Sequence, residues 1–336
     1  MITEAIRAVV EGKHFTEEEM VDIFDVIMDG RATGAQIGAF LAALRMKGET
    51  EDEIAGAAKV MRAKAARVDA EGDVIDTCGT GGDASGTFNI STASALVAAG
   101  AGLKVAKHGN RAASSMCGSA DVLESLGVKV DADPDVVARC VRDAGIGFMF
   151  APRMHAAMKH AIGPRKEIGI RTVFNVLGPL TNPAGAKKQL MGVFSKDLTE
   201  TLAKVLGRLE SENAMIVHGS DGLDEITLTG PTYVSELRDG KVSNYMIQPE
   251  ELGLDKCSRS DLKGGCAEDN ASIIRELLDG KDSPKRNVVA LNTAAAMVVG
   301  GKAADLKEGL EEAYTSIDSG AAKAALEKLV AMSNEA

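Results

Sequence analysis

The chain has 336 residues, 45% of them hydrophobic and 26% charged, a balance that implies a globular protein with a sizeable core and excludes disordered or fibrous classes. Its net charge of −11 argues against a nucleic-acid surface, which needs clustered Lys and Arg, and no apolar run reaches the roughly 18 residues of a membrane span. Aromatic residues are only 3% and Trp is absent, so Ala, Val, Leu, Ile and Met must form the core at close contacts, which favours α or α/β packing.

The length suits a large unit with a smaller partner. Residues 1–66 open with a short amphipathic helix and then carry three capping boxes, Thr16-x-x-Glu19, Thr33-x-x-Gln36 and Thr50-x-x-Glu53, each before apolar positions at helical spacing. They predict a small helical module. From Val74 the pattern changes to strand, loop and helix: VIDTC, the glycine loop, then a helix over 91–100. LKVAKH (103–108) and GSADVLESLG (118–127) form a second such unit, and IGFMF (146–150) and AMIVHG (214–219) read as further strands. Alternation of this kind predicts a parallel or mixed sheet with helices on its faces. DEITLTG, TYVSEL and KVSNYMI, within 224–247, look like antiparallel strands, and the chain is helical and alanine-rich from Glu268 onward. Five cysteines, Cys78, Cys117, Cys140, Cys257 and Cys266, include no C-x-x-C pair, and no targeting segment is evident. Reduced thiols in a cytoplasmic protein are the expectation.

Four segments carry chemistry. The first, TCGTGGDASGTFNIST (77–92), has the glycines that let successive backbone N–H groups converge on an anion, with Ser91 placed to cap a helix start. It is neither a P-loop nor a dinucleotide fingerprint. The second, Lys107-His108-Gly109-Asn110-Arg111 followed by Ser114, Ser115 and Ser119, supplies the positive charge that the first lacks. As both follow strands, they belong together at the carboxyl edge of the sheet, where open α/β folds place ligands. In the third, Asp224-Glu225 either forms a surface acidic pair or offers oxygen ligands to Mg²⁺. In the fourth, HAIGPRKEIGIRTVFNVLGPLTNP (160–183), Arg165 either grips a carboxylate or ties two modules together. No G-x-S-x-G, H-E-x-x-H or Cys/His metal spacing occurs, which disfavours a protein nucleophile. Of the five histidines, only His108 falls within a candidate site.

Taken in order, IDTCGTGGDASGTFNISTASA, VAKHGNRAASS, FAPRMHAAMKH, IGPRKEIGIRTVFNVLGPLTNP and HGSDGLDEITLTG closely resemble the anthranilate phosphoribosyltransferases. The resemblance implies transfer of a phosphoribosyl group from phosphoribosyl pyrophosphate to anthranilate. It also implies a nucleoside-phosphorylase-like α/β fold: a small all-helical domain, 1–66 with a segment near 165–185, hinged to a large domain, 73–160 and 186–336, with a mixed, mostly parallel sheet. By the same resemblance Gly79, Gly82, Asp83, Thr87, Asn89, Ser91, Thr92, Lys107, Asn110, Ser115 and Ser119 surround phosphoribosyl pyrophosphate. Gly79, Asn110, Arg165, His108 and Pro179 meet anthranilate, and Ser91, Asp224 and Glu225 hold Mg²⁺. Lys107 and His108 would give electrostatic support, and a homodimer through the helical domain is expected, with no nucleic-acid or membrane partner. Met116-Cys117 and Gly264-Gly265-Cys266-Ala267 depart from the family's commoner residues and are expected to lie away from the ligands. A pyrimidine nucleoside phosphorylase of the same fold, with a further C-terminal region, is the nearest rival. A non-catalytic nucleic-acid-binding relative is opposed by the net charge and by Asp224-Glu225.

Overall fold

A computed structural model describes residues 1–83, 85–112 and 116–335. Four helices come first: α1 (Ile2–Val10), α2 (Glu17–Met28), α3 (Gly34–Lys47) and α4 (Glu51–Ala63). Each of α2, α3 and α4 starts at the threonine expected, with the reciprocal bonds of a complete capping box. The boundaries were legible because capping is local: the threonine oxygen takes an orphan N–H of the first turn and the Glu or Gln returns the bond.

After α4 the chain builds a seven-stranded sheet of order β3-β2-β1-β4-β5-β6-β7. β1 (Ile75–Gly79), β2 (Val105–Gly109), β3 (Ile146–Phe150), β4 (Lys188–Gly192) and β5 (Asn213–Gly219) are parallel. β6 (Thr232–Arg238) and β7 (Lys241–Ile247) close one edge as an antiparallel ribbon. The sheet is thus mixed and mostly parallel. Between β1 and β2 runs α5 (Ile90–Gly100), buried along nearly its whole length. It packs against the long Ala-rich helix Pro284–Gly300 and the C-terminal helix Ala321–Ser333, and the small side chains let these backbones approach closely.

Two sequence expectations fail here. DEITLTG is not a strand, because Ile226 donates its N–H to Asn292 Oδ1 (3.0 Å) and its carbonyl accepts from Asn292 Nδ2 (2.8 Å), while Thr227 and Thr229 hydroxyls donate to Asp221. Side chains therefore meet the needs that a strand neighbour would otherwise meet. β4 was not foreseen, since KQLMG carries polar residues where a central strand should be apolar. Its buried Gln189 is satisfied by donating to the Pro179 carbonyl (2.7 Å) and to Cys78 Sγ (3.0 Å).

The helical module does not stand apart. Its core residues Met20, Phe24, Phe40 and Leu44 belong to one cluster with Phe174, Leu177 and Leu180 of the later segment and with Met191 and Ile216 on one face of the sheet. A second core, built on α5 and the C-terminal helices, fills the other face. No helix among the described residues is long and apolar enough to cross a membrane.

Candidate active site

β1 is the point at which chain order reverses, since β2 lies on one side of it and β4 on the other. A crevice opens outside the strand ends at such a point. There a cleft of ≈ 480 Å³ is lined by the glycine loop, the 107–112 and 116–119 segments, Asp224 and Glu225, and by Met158, Ile162, Arg165, Phe174, Gly178 and Pro179 on the other wall. Every predicted site residue among the described ones reaches this cleft; Ser115 lies outside the described residues.

In the glycine loop Gly81, Gly82 and Gly86 have φ of 66°, 75° and 67°, conformations that favour glycine. Gly79 is required for a different reason: a Cβ there would come within 2.6 Å of Asp224 Oδ2. The loop is thus moulded around a carboxylate. Gly81 N–H donates to Asp224 Oδ2 (2.9 Å), and Ser91 N–H donates to Glu225 Oε1 (3.1 Å). Asp83 Oδ1 accepts from Ser85 N–H (3.2 Å), while its Oδ2 is buried without a donor. Ser91 does not cap α5. The helix begins one residue earlier, with Asn89 at the cap position and no side-chain capping bond. Asn89 instead accepts from Asn270 Nδ2 (3.0 Å) and donates to the Cys117 carbonyl (3.2 Å). Thr92 is buried with its hydroxyl unpartnered, whereas Thr87 pairs with Lys263 in an isolated bridge.

The electrostatics are those of a site short of positive charge. Burial is the main cause that lifts Asp224 to about 7 and Glu225 to about 8, with Asp83 repelling the first and Asp224 the second. Lys107 is 2% exposed; it donates to the Thr77 carbonyl and to Ser91 Oγ (3.4 Å). Burial lowers its pKa and the nearby Asp76 opposes that shift.

The opposite wall is drier. Burial lowers the Arg165 pKa, no acidic group contributing, and the guanidinium sits 4.9 Å from the Phe174 ring centre. Arg165 lies within the helix Lys159–Ile168, one residue after Pro164. His108 bonds through Nδ1 to the Gly178 carbonyl (3.2 Å), so Nδ1 carries the proton and Nε2 is left as a buried acceptor without a partner. Burial holds this imidazole near 3, so the support expected of His108 is dipolar rather than cationic. Asn110 and Ser119 form the rim: Asn110 Oδ1 accepts from Arg111 N–H (2.7 Å), and Ser119 Oγ donates to the Asn110 carbonyl (3.2 Å).

Two participants, His155 and Arg171, escaped sequence reasoning, and three more residues were placed elsewhere by it. His155 packs edge-on to His108 at 5.0 Å between ring centres, and burial lowers it to about 4. Its signal, a histidine shortly after β3, was indistinct. Arg171 donates to the Gly82 carbonyl and covers the Phe194 ring at 4.3 Å, tying the glycine loop to the segment that crosses between units. The atypical Cys117, Gly264 and Gly265 also line the cleft, contrary to expectation. Gly264 N–H donates to the Gly86 carbonyl (3.0 Å) and Gly265 N–H to Asn270 Oδ1 (2.8 Å), so this loop supports the glycine loop from outside.

Residues 3–65 match the helical bundle domain and residues 71–323 the a/b domain of the glycosyl transferase family. An anthranilate phosphoribosyltransferase of Citrifermentans bemidjiense is 54% identical, with 100% of both chains covered. The chain belongs to the anthranilate phosphoribosyltransferase family. The crystal structure of the Thermus thermophilus anthranilate phosphoribosyltransferase is similar at a TM-score of 0.94 and 42% identity, covering 98% of this chain and 99% of that one. The Saccharomyces cerevisiae enzyme in complex with PRPP and Mg is similar at 0.90 and 30% identity, covering 99% and 97%.

Proposed function

We infer that the cleft transfers the 5-phosphoribosyl group of phosphoribosyl pyrophosphate to the amine of anthranilate, giving N-(5-phosphoribosyl)anthranilate and pyrophosphate, a step of tryptophan biosynthesis. The observation that carries this reading is the division of one cleft into two chemically opposite walls. Loop amides, Lys107 and buried carboxylates suit a polyanion with a cation; Arg165, without an acidic partner, suits the carboxylate of a flat acceptor lying against Pro179 and His108.

In the reaction the anomeric carbon–oxygen bond to pyrophosphate breaks and a carbon–nitrogen bond forms, while the amine gives up a proton. Positive charge develops on the ribose ring and negative charge on the leaving group, as in glycoside cleavage. Gly79, Gly82, Asp83, Thr87, Asn89, Ser91, Thr92, Asn110 and Ser119 surround the donor, and the Lys107 ammonium stabilises the departing pyrophosphate by preorganised charge. Arg165 and Asn110 hold anthranilate with its amine facing the anomeric carbon, which converts an encounter into an oriented attack. The amine is the nucleophile, so the protein need supply none.

The donor set fits Mg²⁺. Asp224 and Glu225 are partly buried, mutually repelling and short of donors, and Asp83 Oδ2 is orphaned beside them. Among the described residues no group of three or more His, Cys, Asp or Glu is arranged to hold a metal alone, as befits an ion whose shell is completed by substrate oxygens and water. Asp224, Glu225 and Ser91 would hold it, and it would neutralise charge on the pyrophosphate. Exposed Val10 and Met46 on the helical unit (70% and 88%) support a homodimer through that unit, and a cytoplasmic location suits its substrates.

The test is purified protein with both substrates and Mg²⁺, following loss of anthranilate fluorescence. Mg²⁺-dependent loss is expected, with the dependence displaced to higher Mg²⁺ in Asp224→Asn and Glu225→Gln. Folded protein that gives no signal would overturn the reading; variants with unaltered Mg²⁺ dependence would remove the metal assignment.

A further inference from the structure

Asp76 lies on β1 beneath the cleft and does not line it. It is wholly buried, and two donors converge on its carboxylate: His108 N–H on Oδ1 (3.1 Å) and Asn182 Nδ2 on Oδ2 (2.7 Å). Asn182 is committed elsewhere too. Its Nδ2 also donates to the Ala106 carbonyl (2.9 Å), and its Oδ1 accepts from Ala184 N–H (2.9 Å). A single amide thus fastens the 178–184 loop to β1 and β2 at once.

The same loop is held from above. Gly178 O accepts from the His108 ring (3.2 Å) and from Thr181 Oγ1 (3.0 Å), and Pro179 O accepts from Gln189 Nε2 (2.7 Å). His108, Gly178 and Pro179 are all cleft residues. Asp76 therefore touches both the strand that presents His108 and the loop that presents Gly178 and Pro179. An apolar residue could fill its volume, yet the site keeps a carboxyl that burial pushes up to about 6. What a carboxylate adds is two acceptor oxygens with fixed directions, besides a counter-charge to the buried Lys107 that Asn182 does not share.

We propose that Asp76 and Asn182 form a positioning pair, which sets the acceptor wall of Gly178, Pro179 and His108 at the spacing the aromatic substrate requires. Neither residue touches the reacting atoms; both act through the wall. The inference rests on the phosphoribosyl-transfer reading, and wild-type turnover in the same assay separates the two: no wild-type turnover removes that reading, whereas the variants below judge only the pair.

Asparagine at position 76 would aim a donor at one of the two donors already there. Flipping Asn182 to meet it would set an amide against Ala184 N–H and abandon the Ala106 carbonyl, so one group stays unmet. Exchanging both residues, Asp76→Asn with Asn182→Asp, restores donor to acceptor across the pair and keeps an acceptor for Ala184 N–H, leaving only the Ala106 carbonyl without its donor, which is why recovery is partial.

The experiment is steady-state kinetics on both substrates for Asn182→Ala, Asp76→Asn and the exchanged double variant. Asn182→Ala is expected to raise KM for anthranilate about tenfold while KM for phosphoribosyl pyrophosphate stays within about twofold. Asp76→Asn should raise anthranilate KM at least as far, and the exchange should recover about half of that rise on a logarithmic scale. An unchanged anthranilate KM in Asn182→Ala, equal rises for both substrates, or an exchange as impaired as Asp76→Asn would each overturn the proposal. If Asp76→Asn fails to fold, the substrate split in Asn182→Ala decides alone, because a loss of folded protein lowers the active concentration without separating the two KM values.

Discussion

Two acidic sites, one in a core and one in the cleft, stand in contrast. In the helical module, Glu53 is wholly buried and fully provided for: Oε1 accepts from Phe15 N–H (3.0 Å), and Oε2 from Lys47 Nζ (2.8 Å) and Thr50 N–H (2.8 Å). In the cleft, Asp224 and Glu225 are only partly buried and have one backbone donor each, and they face Asp83 and one another. The first site is complete in the folded chain; the second is left short of donors. The two sites differ in the number of donors supplied to a carboxylate held away from bulk water, and an unmet charge is costly unless a ligand meets it.

The largest effect expected from breaking this contrast is at Glu53. Glu53→Ala leaves Lys47 buried without its counter-charge and should lower unfolding free energy by about 3–5 kcal/mol, read by urea denaturation, with kcat unchanged under conditions where the variant is folded. Glu225→Gln should behave oppositely. Turnover should fall about 100-fold, equivalent to about 2.7 kcal/mol, while Tm measured without Mg²⁺ holds near neutral pH and rises above about pH 8, where Glu225 ionises and its repulsion with Asp224 is relieved by the substitution. A Tm loss like that of Glu53→Ala would show that the two sites do not differ in kind.

A smaller effect belongs to the acceptor wall, whose imidazoles are also left short of partners. His108 and His155 have folded pKa values near 3 and 4, against 6.5 for the ordinary group. The unfolded chain therefore binds protons that the folded chain refuses. This contribution is whole above about pH 6.5 and is lost as pH falls towards 4, by about 1–2 kcal/mol per histidine at about pH 5. Buried carboxyls with raised pKa values act in the opposite sense, so the comparison is of Tm against pH for wild type and His155→Phe. The variant should lose less stability on acidification; parallel curves would contradict the burial of a neutral ring.

Much of the fold was legible. Capping boxes fixed the starts of α2, α3 and α4, and alternating apolar runs gave β1, β2, β3 and β5. The Gly-rich loop marked one wall of the cleft through its glycine freedom, whereas Asp224-Glu225, a common kind of surface pair, gained meaning only beside the other segments. β4 was hidden by Gln189, whose polarity makes sense only beside Pro179 and Cys78.

The sequence by itself determined what depends on near neighbours along the chain: helix caps, strand periodicity, the anion-ready loop and the membership of Lys107 in the segment after β2. Tertiary structure alone decided what depends on burial and on distant donors. It made His108 neutral, brought His155 beside it, seated Gly264 and Gly265 behind the glycine loop and bonded Asp76 to Asn182. The reason is physical: a side chain's charge and partners are set by the solvent it loses and by the groups that replace it, and those come from residues far apart in the chain.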